Sequence, residues 1–192
     1  MPEQRPDQVA GAEAVVRFRR DLAEESDRAA VLIAGALLEN ALTALLQSAL
    51  VPNPSALDTL FDGAVAPLGS FSAKIDLAFR IGAISPQLSR DLHLIRRIRN
   101  EFAHRPAACQ FEDQDIRSRI LELSKSHGIF QRSPKWIAEN GAPSLRAQFI
   151  EAVSWMSFYL NAQSMRAVRM SSRLPEFGYE FSYDKDETPA PS

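Results

Sequence analysis

The chain has 192 residues, 45% of them hydrophobic, which is enough for one domain with a substantial core. Its formal charge of −2 supplies no global field toward nucleic acid or an anionic membrane surface. One cysteine, Cys109, excludes an internal disulfide and fits a reducing compartment. Met1 to Asp7 holds no apolar run of the kind a secretion signal needs.

Apolar residues recur with helical period almost throughout, and no long alternating strand precedes the tail. The first helix is expected from Gln8 to Arg20. A second begins at Ser26 or Asp27, either of which can cap it, and runs to Leu50, where Pro52-Asn53-Pro54 ends it. Its segment from Val31 to Leu50, twenty mostly apolar residues, could be mistaken for a membrane span. Glu39 at the centre would cost roughly 2.5–3.5 kcal/mol there, so a bundle helix is the better reading and no membrane association is expected. A turn at Leu57–Phe61 and a loop from Asp62 to Gly69 follow. Ser70 then caps a third helix to about Ile81, which Gly82 stops.

Ser85-Pro86 gives a cap and a first-turn proline to the next helix, which reaches about His104 before Arg105-Pro106 closes it. A further helix spans Asp113 to about Lys125. His127 to Pro143 is rich in glycine and proline and reads as a loop. Ser144 opens the last long helix, with Leu145, Phe149, Ala152, Val153, Met156, Tyr159 and Leu160 as its buried face. The alternate aromatics from Phe177 to Tyr183 suggest an extended arm or a free tail. The expectation is an all-α, single-domain helical bundle of about six helices over residues 1–173, with a tail over 174–192.

The helix from Pro86 to His104 is the most unusual. From Arg80 to Arg105 the chain carries six arginines against two acids. At about 100° per residue, Leu88, Leu92, Leu94, Ile95, Ile98 and Phe102 face a core, while His93, Arg96, Asn100 and His104 form a neighbouring stripe. Arg99 falls at the edge of the apolar arc. Its charge cannot be removed by deprotonation, so it needs matched partners. On the second helix, Glu39, Asn40, Thr43 and Gln47 share an arc that Ala29, Leu32, Ile33 and Ala36 fill one to two turns earlier. That pattern suggests a first half buried along this arc and a second half meeting water. Alternatively, Glu39 or Asn40 contacts Arg99 or His104.

His104 suits a helix C-terminus as a cation near the dipole, or it is a general acid or base beside Arg99. His93 lies about 16 Å along the helix from His104, too far for both to share one phosphate within a subunit. The loop before the third helix offers Ser70, Ser72 and Lys74 as capping groups, or with Arg96 as contacts for an anion or a partner. Three histidines and one cysteine at these spacings make no metal set, and no glycine-rich cofactor fingerprint is present, so neither metal nor cofactor is expected. No solvent-facing recognition helix is evident.

Three blocks, Asp27–Ala30 through Leu38–Leu42, Pro67–Ile75, and Asp91–His104, resemble the bacterial mannitol operon repressor family over roughly residues 27 to 111. That resemblance implies an all-helical cytoplasmic regulator of transcription that works through a protein partner, with nucleic acid contact weak or indirect. Arg99-Asn100-Glu101-Phe102-Ala103-His104 is also similar to the signature of the wider HEPN superfamily, which includes metal-independent ribonucleases. The second resemblance implies a homodimer. It would make Arg99 and His104 the groups facing RNA, assisted by Asn100 and by Glu39 as the acid from another helix. Many proteins with such a signature serve only as binding modules, so the motif alone does not assign activity.

Overall fold

The computed structural model describes residues 16–17, 19–105, 109–126 and 134–171. A helical segment ending at residue 24 leads into α1 (Asp27–Ala49), followed by α2 (Phe71–Arg80), α3 (Pro86–His104), α4 (Gln114–Ser126), α5 (Pro134–Asn140) and α6 (Leu145–Arg166). No strand occurs among the described residues, so the fold is an all-α bundle.

Capping sets the boundaries. Ser26, Ser70, Ser85 and Ser144 each sit in extended backbone and accept a hydrogen bond from the amide three residues on, which satisfies one of the free donors of the first turn. Gly82 adopts φ +74° just after α2, a left-handed conformation that glycine enters without steric cost.

The core lies between α1 and α6, the most extensive helix pair, with α2, α3 and α4 packed around them. Val31, Leu38, Leu42 and Leu46 of α1 are fully buried, as are Phe149, Val153 and Leu160 of α6. Ser48 and Ser164 add a hydroxyl contact of 3.0 Å between the two helices. Phe102, Phe111 and Phe149 form a column of mutually tilted rings, with centroids 5.5 Å and 5.3 Å apart, and join α3, the segment before α4, and α6. Cys109 lies beside this column, partly buried. Burial pushes its thiol pKa above the usual value, and the Asp113 carboxylate adds to that.

Arg146 ties the N-terminal segment down. Its guanidinium donates to the carbonyl oxygens of Leu22 (3.1 Å), Ala23 (3.3 Å) and Glu25, and also to the Asp27 carboxylate. One side chain on α6 thus satisfies the open end of one helix and holds the start of the next.

Four expectations need correction. The first helix does not stop at Arg20 but continues to residue 24, because Leu22 is drawn into the core; its start lies outside the described residues. The stretch expected to be a loop contains the short helix α5, whose described side chains from Lys135 to Asn140 are all exposed. With no buried face, α5 leaves no periodic signal to read. Tyr159 is 45% exposed and lines an apolar cavity of about 420 Å³ with Leu88, Met156 and Phe158. Finally, Leu32, Ile33 and Ala36 do not bury the first half of their arc on α1 but face outward. The second half of that arc is polar and also reaches the surface. The aromatic arm from Phe177 to Tyr183 lies outside the described residues.

Candidate functional site

The arginine flagged by periodicity sits where three helices meet. Glu39 projects from the middle of α1. Its Oε2 accepts a hydrogen bond from Arg99 Nη1 at 3.0 Å, and its Oε1 accepts one from Lys74 Nζ at 3.1 Å. Lys74 comes from the first turn of α2 and Arg99 from the last half of α3. All three side chains are at least 73% covered, since the most exposed of them, Arg99, retains 27% of its surface. At this depth the attraction is little screened by salt.

Two further residues complete the seat. The guanidinium carbon of Arg99 lies 5.5 Å from the centroid of the Phe71 ring, within reach of the ring's negative face. On the other side, the aliphatic stem crosses Gly35, one turn before Glu39. A Cβ there would stand 2.5 Å from Arg99 Cδ and 3.1 Å from Cγ. The missing side chain of Gly35 therefore creates the channel through which Arg99 reaches Glu39. Gly35, Phe71 and the Lys74–Glu39 pair were not anticipated. A lone glycine inside an alanine- and leucine-rich helix, four residues before the acid, was the available signal.

The remaining residues of interest point elsewhere. His104 is exposed at the end of α3, about 140° around the helix from Arg99. Asn100 is half-buried, and neither its side chain nor that of His104 has a hydrogen-bond or ion-pair partner among the described residues. Arg96 is half-buried, with its Nε lacking a hydrogen-bond partner among the described residues. His93 Nε2 lies 3.2 Å from Asp76 Oδ1, a contact between α3 and α2. Ser70 caps α2, Ser72 is half-buried, and Lys74 is held by Glu39, so these three do not converge on an open cradle. Glu101 gathers Arg105 at 3.0 Å and Arg119 at 3.5 Å, which joins α3 to α4. No cluster of potential metal ligands occurs among the described residues.

Chemically, Glu39, Lys74 and Arg99 form a clamp. The carboxylate accepts from both cations at once, and the aromatic face and the glycine channel fix the arginine's direction. The fold and this site define a helical bundle in which a carboxylate and two cations from three helices are turned inward and hold those helices in register. The chain belongs to the mannitol repressor family, whose model matches residues 21–158. The match extends well past residue 111, where the sequence resemblance ended. The fold is similar to that of a chain in the X-ray structure of the MtlR-HPr complex from Escherichia coli, with a TM-score of 0.55 at 21% identity. The likeness covers 77% of this chain and 98% of that one. No curated protein matches this chain.

Proposed function

We propose that this protein is a cytoplasmic transcriptional regulator that acts as a helical interaction module, through a protein partner rather than by reading DNA itself. The observation that carries this reading is the commitment of Arg99. Its guanidinium is engaged by Glu39 and Phe71 and its stem by Gly35, so the one arginine of the signature serves the fold. Near-neutral total charge argues in the same direction, because tight autonomous DNA binding rests on many phosphate contacts. The similar solved structure is a complex with HPr, which makes HPr the first partner to test.

The experiment pairs two measurements at physiological salt. Immobilised HPr from the same organism is expected to retain the purified protein, whereas promoter DNA of the mannitol operon is expected to show no sequence-specific mobility shift. A specific shift by the protein alone would overturn the indirect mode, and no retention by HPr would remove that partner.

The second reading, a metal-independent ribonuclease using Arg99, His104, Asn100 and Glu39, is favoured by one observation: the side chains of Asn100 and His104 have no hydrogen-bond or ion-pair partner among the described residues. It requires Arg99 to leave its clamp, or a phosphate to reach the face that remains open. RNA incubated in chelator with wild type and with His104→Ala separates the readings. Cleavage lost only in the variant would establish the enzyme, and equal background in both rejects it.

A further inference from the structure

The helices α3 and α6 both pack on α1 and make little direct contact with each other, so a wedge opens between the first turns of α3 and the middle of α6. This wedge is the cavity of about 420 Å³ beside Tyr159, a size within the usual range for a small-molecule site. Its α6 wall is aromatic. Trp155, Phe158 and Tyr159 line it together with Met156, and Trp155 meets Phe158 edge to face, with ring centroids 5.9 Å apart.

The α3 wall brings the charge. It consists of Leu88 and, one turn on, Asp91, which retains none of its surface. Asp91 Oδ1 accepts hydrogen bonds from Arg90 Nε at 3.2 Å and Nη2 at 3.1 Å. The Arg90 side chain is 56% exposed, so it can share that carboxylate at little loss. A second polar group on the walls is Trp155 Nε1, which is shut off from water and has no hydrogen-bond acceptor among the described residues. A buried donor in that position is costly and uncommon.

From this pairing of an aromatic wall with a buried carboxylate we infer that the cavity binds a small organic cation: an amine with a flat apolar body and one acceptor atom. The ammonium group lies toward Asp91 and the ring faces, where the carboxylate and the ring quadrupoles both attract it. The body takes the apolar space beside Leu88 and Met156, and the acceptor atom receives the Trp155 N–H. The same chemistry disfavours other classes. An anion would meet the Asp91 carboxylate, and a polyol would lose water from several hydroxyl groups and find few polar partners.

Three probes that share one ring and one ether oxygen test this: 2-phenoxyethylamine, the neutral 2-phenoxyethanol and the anion phenoxyacetate. In the full chain carrying Trp136→Phe, Trp155 is the single tryptophan, and its fluorescence reports binding. The amine is expected to bind with a dissociation constant on the order of a millimolar or below, as suits a fragment of this size. It should bind about tenfold or more tighter than the alcohol, and phenoxyacetate weakest of all. Asp91→Asn should erase the preference for the amine and leave the alcohol unchanged. Tyr159→Ala, at an exposed position, should weaken amine and alcohol alike by severalfold, and circular dichroism checks that each variant is folded. If Asp91→Asn does not fold, the amine-to-alcohol ratio in the parent chain and the Tyr159→Ala result decide. No response to the amine up to about 10 mM, equal binding of amine and alcohol, or amine binding indifferent to Tyr159→Ala would overturn the assignment. HPr retention is a separate measurement, so the partner reading and this one fail independently.

Discussion

Replacing Glu39 by alanine is expected to destabilise the protein by about 3–5 kcal/mol, the usual effect of removing one partner from a buried charge pair. The loss here is of one acceptor serving two cations, both largely covered. Lys74 and Arg99 would remain close together in a protein environment with no carboxylate between them, so repulsion adds to desolvation. For a chain of this size each kcal/mol shifts the melting temperature by roughly 2–4 °C, so thermal unfolding should fall by on the order of 10 °C. Lys74→Met should have a smaller effect, because Glu39 keeps Arg99. A Glu39→Ala protein that melts within 2 °C of wild type would show that the clamp is not what joins α1, α2 and α3.

Gly35→Ala is the second large effect, and its sign is the diagnostic. In an ordinary helix interior this change stabilises by about 0.5–1 kcal/mol, because glycine loses more backbone freedom on folding. At Gly35 the added methyl would stand 2.5 Å from Arg99 Cδ. The stem is pinned at its far end by Glu39 and Phe71, so the clash cannot be relieved by swinging the guanidinium away without losing both contacts. A net destabilisation of about 1–3 kcal/mol is expected, in the range for overpacking a tight site. In an Arg99→Ala background the same substitution should return to neutral or stabilising. Chemical denaturation of the four proteins of this cycle gives the coupling directly. If Gly35→Ala stabilises the wild-type chain, the channel is looser than its geometry indicates.

Much of the fold was legible because its signals are local. A serine ahead of an apolar-periodic run marks a helix start whatever surrounds it, and Ser26, Ser70, Ser85 and Ser144 all do so here. Arg99 was legible for a different reason: an arginine on an apolar arc must find a carboxylate, and Glu39 was the acid in the middle of the other long helix. Lys74 was harder to place. Its position in the first turn of a helix suits a surface anion site as well as a buried ion pair, and only the packing of α2 on α1 decides. The outward face of α1 was misread because periodicity reports which residues are apolar, not what lies against them. The burial of Tyr159 failed in the same way, since whether a neighbouring helix fills the space beside it is a property of the assembled bundle. The whole of α5 was missed because it buries none of its described side chains.

The bond from Arg146 to Asp27 joins positions 119 residues apart in the chain. At roughly 5–20 residues per second the ribosome needs on the order of ten seconds to travel that distance. For much of that interval α1, apolar enough to pass for a membrane span, lacks the helix α6 that will shield it, and the carbonyls of Leu22, Ala23 and Glu25 wait for a donor not yet made. Until α6 is made the nascent polypeptide therefore exposes apolar surface of the kind that aggregates, and products truncated before residue 145 should collect in the insoluble fraction.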